Sequence, residues 1–100
     1  MRGASLPNNH QKMKYETYRV IRTLGTETRY KIMGVLMKHP KGIAVQDIAA
    51  DLGMTHSAIS HQLAVLEREQ IVTDTKRGRE NHYQIAKSQA GAVALKLMRI

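Results

Sequence analysis

A single, mainly helical domain with a small β-hairpin is the fold class this sequence predicts. Three observations carry it. Apolar residues recur at helical spacing through most of the 100-residue chain. Glycine or proline interrupts that spacing at Gly25, Pro40, Gly42 and Gly53. The longest run of strand formers, Ile71, Val72, Thr73 and Thr75 followed by His82 to Ile85, folds back around Gly78. A chain this short is one domain by default, and it buries a limited share of its surface on its own.

Residues 1–9 contain Gly3, Pro7, Asn8 and Asn9 without periodicity. They are expected to be a flexible leader, with Asn8 or Asn9 available as a helix cap. Residues 10–100 then form the domain. His10 to Leu24 fits a first helix with Met13, Val20, Ile21 and Leu24 on one side, and Gly25 ends it. Thr26 is placed to cap a second helix, Glu27 to Lys38, in which Arg29, Ile32, Met33, Leu36 and Met37 follow the i, i+3, i+4 pattern. That wide apolar arc marks a central core helix. Pro40 stops it.

Ile43-Ala44 is a candidate short strand. Val45, Ile48, Ala49 and Leu52 put an apolar stripe on a short third helix, and Gly53 supplies a tight turn. Thr55 can cap a fourth helix from His56 to Glu69. The hairpin follows, with Arg77-Gly78-Arg79-Glu80 as its turn. A last helix fits Lys87 to Ile100, with Val93, Leu97 and Ile100 on one side and Ala94 and Met98 beside them. The order is α-α-(β)-α-α-β-β-α. Two short helices joined by a glycine turn and followed at once by a hairpin make a winged helix-turn-helix.

The fourth helix has two chemically distinct faces. Ile59, Leu63 and Leu66 fall on one, and Ser57, Ser60, His61, Ala64 and Arg68 on the other. The second face is small, polar or basic, so nothing on it blocks approach to a base-pair edge. Hydroxyls donate and accept, and so can meet several base edges. Thr55 and His56 sit where free amides and the helix dipole favour a phosphate oxygen. Gln46, on the preceding helix, is a further candidate contact, whereas Gln62 lies off the reading face. The hairpin tip carries Lys76, Arg77 and Arg79, which can straddle a phosphate backbone or enter a minor groove.

Composition agrees. Sixteen Lys and Arg against eight Asp and Glu leave a net charge of +8, a balance that calls for an anionic partner such as nucleic acid. With no cysteine in the sequence, disulfides, thiolate metal sites and thiol switches are excluded from it. No apolar run reaches the ~20 residues of a membrane span. The start lacks the apolar core of a signal peptide, so a cytoplasmic protein is expected. No phosphate-binding glycine loop, carboxylate pair or cysteine nucleophile points to an enzyme. Ser57 and His61 are an i, i+4 pair with no orienting acid beside them. No cofactor is implied.

The segments Leu24-Gly25-Thr26-Glu27-Thr28-Arg29-Tyr30-Lys31-Ile32, Asp47-Ile48-Ala49-Ala50-Asp51-Leu52-Gly53 and Ser57-Ala58-Ile59-Ser60-His61-Gln62-Leu63-Ala64-Val65-Leu66, with the hairpin Gly78-Arg79-Glu80-Asn81-His82-Tyr83, resemble the ArsR/SmtB family of winged-helix repressors. The resemblance covers about residues 20 to 86. It implies a homodimer formed by the first and last helices, which places Met13, Val20, Ile21, Val93, Leu97 and Met98 as dimerisation candidates. It also implies repression of a promoter, released by an inducer the residues do not identify. Two-fold symmetry would set paired reading helices about 34 Å apart, which calls for an inverted-repeat operator in double-stranded DNA.

The chain departs from that family at its sensing sites. Metal-sensing members carry Cys-x-Cys in the first helix of the helix-turn-helix, where this chain has Val45-Gln46-Asp47-Ile48. Others use acids and histidines on the last helix, and Lys87 to Ile100 has none. His56 and His61 lie about 140° apart on their helix. His10, His39 and His82 lack a ligand-spaced neighbour, so no metal site is expected. The alternative to operator binding is a winged helix that contacts protein or RNA. Single-strand RNA binding is disfavoured because the chain has no Phe or Trp to stack on bases.

Overall fold

The computed structural model of the chain describes residues 9–100, with side chains from Tyr15 onward. Residues 1–8 of the expected leader and the side chains of Asn9 and Met13 lie outside the described residues, and the backbone of Asn9 begins the first helix. The elements are α1 (Asn9–Leu24), α2 (Glu27–Met37), β1 (Ile43–Ala44), α3 (Val45–Leu52), α4 (His56–Arg68), β2 (Val72–Arg77), β3 (Glu80–Ile85) and α5 (Gln89–Met98). This is the winged helix-turn-helix order expected from the sequence.

Local chemistry sets the helix starts. The Thr26 hydroxyl accepts from the Arg29 amide, and the Thr55 hydroxyl accepts from the Ala58 amide at 3.0 Å. Each satisfies an amide that has no partner within its own helix. Gly53 ends α3 with φ 64 and ψ 36, a left-handed conformation that lets α4 leave at a new angle.

The core is aliphatic. Ile32, Met33 and Leu36 of α2 are fully buried, and so are Ile48 of α3, Ile59, Leu63 and Leu66 of α4, and Ile71. α2 is thus the central helix, as its wide apolar arc predicts. The three strands form one antiparallel sheet in the order β1-β3-β2, with Ile43 opposite Tyr83 and Val72 opposite Ile85.

Two elements differ from the expectation. The hairpin strands are longer, because Arg77 pairs with Glu80 and only Gly78 and Arg79 turn. The basic residues therefore ride on a paired ribbon instead of a four-residue loop. α5 also buries a different face. It begins at Gln89, and its buried residues are Ala90, Gly91 and Ala94, while Ile100 lies past the helix end and is exposed. At Gly91 only a glycine fits, because the loop leading into α5 passes against it. A Cβ on Gly91 would stand 2.0 Å from the Ala86 carbonyl oxygen. Val93, Leu97 and Met98 are half-buried at the margin of the core.

Candidate nucleic-acid interface

α4 is fixed from behind. Ile59, Leu63 and Leu66 each have no solvent exposure, and burying three such side chains contributes roughly 1.5–3 kcal/mol apiece. This anchoring dictates what the opposite face shows. Ser57, His61, Ala64 and Arg68 are exposed, and Ser60 is half-buried with its Oγ 3.4 Å from His56 Nδ1. Gln62 is engaged elsewhere. Its Oε1 accepts from Arg29 Nη1 at 2.8 Å, while Arg29 Nε donates to the Thr23 carbonyl at 2.6 Å. At the far end Arg19 of α1 pairs with Glu69 at 2.8 Å and pins the helix C-terminus.

The wing lies beside the start of α4. Gln46, His56, Ser60, Arg79 and Glu80 line one cleft of about 280 Å³. The fold thus brings together three elements named from sequence: the α3 N-terminus, the α4 N-terminus and the hairpin tip. Ser57, His61 and Arg68 continue the same face along α4. Thr55 is nearby, its hydroxyl already accepting the cap bond. Lys76 and Arg79 are exposed and have no carboxylate partner among the described residues. Arg77 is tethered, since its Nη2 donates to the Lys41 carbonyl.

Sequence reasoning missed a brace under the wing. Gln46 Nε2 donates to Glu80 Oε2 at 2.7 Å, and His82 Nε2 sits 3.1 Å from Glu80 Oε1. Gln46, expected as a DNA contact, is therefore also the link from α3 to the hairpin. His82 and then Gln46 hold the Glu80 carboxyl below the usual carboxylate range. The one signal in the sequence is an acid set in a basic tip.

Of the dimerisation candidates, Val20 is 2% exposed and belongs to the protomer's own core. Ile21 is exposed instead. It lines a shallow apolar groove with Leu24, Tyr30, Leu97 and Met98. Tyr15 and Tyr18 extend the exposed apolar surface along α1. Among the described residues no group of three histidines, cysteines or acids is placed to hold a metal ion, and no helix is long and apolar enough to cross a membrane.

Known proteins match this geometry. A family model described as bacterial regulatory protein, arsR family, matches residues 26–74. A curated Halobacterium salinarum protein named as an arsenical resistance operon repressor, ArsR, is 37% identical over 65 residues, covering 65% of this chain and 50% of that protein. A second from the same organism, ArsR2, is 31% identical over 65 residues and 55% of its length. The chain thus spans about half the length of the curated relatives it matches. The AntR antimony-specific transcriptional repressor superposes with a TM-score of 0.75 at 25% identity, covering 99% of this chain and 83% of that one. The homodimeric winged helix-turn-helix DNA-binding domain of Mb0332 from Mycobacterium bovis gives 0.72 at 26% identity, covering 99% and 89%. Through residues 26–74 and the fold built around them, the chain is similar to the winged helix-turn-helix regulatory proteins of the ArsR family.

Proposed function

We propose that the protein is a homodimeric transcriptional repressor that binds an inverted-repeat operator in double-stranded DNA. The observation that carries this reading is the two-faced α4: a back with no solvent exposure and an open front of Ser57, Ser60, His61 and Arg68, flanked by an exposed basic wing. The front enters the major groove, the Thr55–His56 end meets phosphate, and Lys76 and Arg79 hold the adjacent backbone.

Dimerisation is supported by the exposed apolar surface of Tyr15, Tyr18, Ile21 and Tyr30, continuous with the groove reaching Leu97 and Met98. Contiguous apolar surface of this kind marks an interaction site, and Mb0332, similar over 99% of this chain, is homodimeric. Val93, Leu97, Met98 and Ile21 line the subunit contact. Two relatives are named for arsenic and a third for antimony. These 100 residues contain no thiolate to hold a soft metalloid.

Selection of bound fragments from a random duplex pool tests the reading. A two-fold symmetric consensus with half-sites one helical turn apart is expected. An asymmetric consensus, or no enrichment over the starting pool, contradicts it.

A further inference from the structure

The C-terminal half of the molecule holds a recess that the nucleic-acid interface does not use. It lies where the end of α2, the end of β3 and α5 meet, and its volume is about 450 Å³. Binding sites for small molecules typically run from about 300 to 1,000 Å³. The wall is apolar: Leu36 and Met37 from the end of α2, Pro40 from the loop after it, Ile85 from β3 and Leu95 from α5. Met37 is unbranched and can adapt to the shape of what it meets.

The polar lining has one sign. Lys87 and Arg99 both contribute to it, and no acidic side chain does. Neither cation has a carboxylate partner among the described residues. The Ser88 hydroxyl is already committed, donating to the Gln70 carbonyl at 2.6 Å and accepting from the Gly91 amide at 2.9 Å. The two cations are therefore the groups left to meet a ligand's polar end. Guanidinium presents a planar fork that matches a carboxylate.

We propose that this recess is a binding site for a small amphipathic anion, a carboxylate with an alkyl or aryl body. The body lies against Met37, Ile85 and Leu95, and the carboxylate meets Lys87 and Arg99. The charge arrangement selects against a cation, and the apolar wall selects against a simple inorganic anion. The site is separate from the subunit contact. The recess and the apolar groove have no lining residue in common: Ala92 and Leu95 face the recess, Val93 and Leu97 lie about 100° or more around α5, and Met98, about 60° from Leu95, lines the groove alone. The proposal does not rest on operator binding. It places a ligand at the opposite end of β3 from the wing.

The test uses the full chain, isotopically labelled, titrated with sodium octanoate below its micellar concentration. Octanol and octyltrimethylammonium are titrated in parallel. Saturable shifts of the Met37, Ile85 and Leu95 methyl signals are expected with octanoate, with affinity about tenfold or more above that for octanol. Lys87→Ala with Arg99→Ala changes only exposed side chains and should erase that tenfold preference. Ala92→Trp, also at an exposed position, should fill the mouth and abolish the shifts while the remaining spectrum is kept. Equal affinity for octanoate and octanol overturns the proposal, as do shifts confined to the tyrosine face of α1. A change in sedimentation of Ala92→Trp without loss of octanoate binding would assign the recess to a second copy of the chain and overturn it equally.

Discussion

The front of α4 and the tip of the wing offer similar chemistry to a duplex, but different forces hold them. Behind the α4 front stand Ile59, Leu63 and Leu66, all without solvent exposure. The wing is a two-stranded ribbon closed by a two-residue turn, and what holds its tip to the body is the Gln46–Glu80–His82 brace and the Arg77 tether to Lys41. Close packing permits one position and resists change. A few exposed hydrogen bonds permit several positions and break one at a time, each at small cost. The helix is thus suited to reading base edges, which demands fixed register. The wing is suited to following a phosphate backbone, which does not.

That contrast is sharpest in stability. Leu63→Ala should cost about 2–5 kcal/mol, the range for a buried leucine truncated in a packed core. Arg79→Ala should leave the unfolding midpoint unchanged. Urea denaturation of both variants checks this, and equal effects would break the contrast.

Next in size are the effects on DNA. Arg77→Ala combined with Arg79→Ala should weaken binding to every sequence and flatten the salt dependence by about one unit for each phosphate left without its cation. The single variant Arg77→Ala also frees the wing from the Lys41 carbonyl, so it tests positioning together with charge. An unchanged slope in the double variant would show that the wing does not touch the backbone. Ser60→Ala and His61→Ala should instead each reduce discrimination between operator and random duplex by about 1 kcal/mol, at the low end of a specific base contact. Parallel weakening on both duplexes would remove these residues from base reading.

The smallest expected effect separates α4 from the strand that follows it. Glu67 is pushed above the ordinary carboxylate range by its hydrogen bond to Asp74, by burial and by the Asp74 charge. A carboxyl raised in the folded state contributes stability that is complete below its unfolded pKa. That contribution fades as pH rises through the folded value. Glu67→Gln should therefore raise the melting temperature slightly at neutral pH, with the gain vanishing below about pH 4. A gain that persists at low pH would show the cause is not this proton.

Much of the helical scaffold was legible because it is local. The Thr26 and Thr55 caps, the Gly53 turn and the apolar back of α4 each depend on residues within a turn or two, and helical period exposes them. The inverse holds for what spacing did not reveal. Arg19–Glu69, Gln46–Glu80 and Arg29–Gln62 join residues 50, 34 and 33 positions apart, and no local pattern encodes such pairs. The α5 face differs from expectation because helical spacing weights large residues over small ones. The buried row is Ala90, Gly91 and Ala94, with Val93 and Leu97 at its edge. The exposed Tyr15, Tyr18 and Tyr30 are ordinary amphipathic positions in the sequence, and only the fold shows that none of the described elements covers them.

The claim on which the rest depends is that the α4 front, held by its buried back, enters the major groove of a duplex. Amide chemical-shift mapping of the labelled protein against its selected operator tests it most directly. The account predicts the largest changes at Ser57, Ser60 and His61, with smaller ones at Lys76 and Arg79. Changes gathered at the wing alone, with the Ser57–His61 signals unmoved, would contradict it.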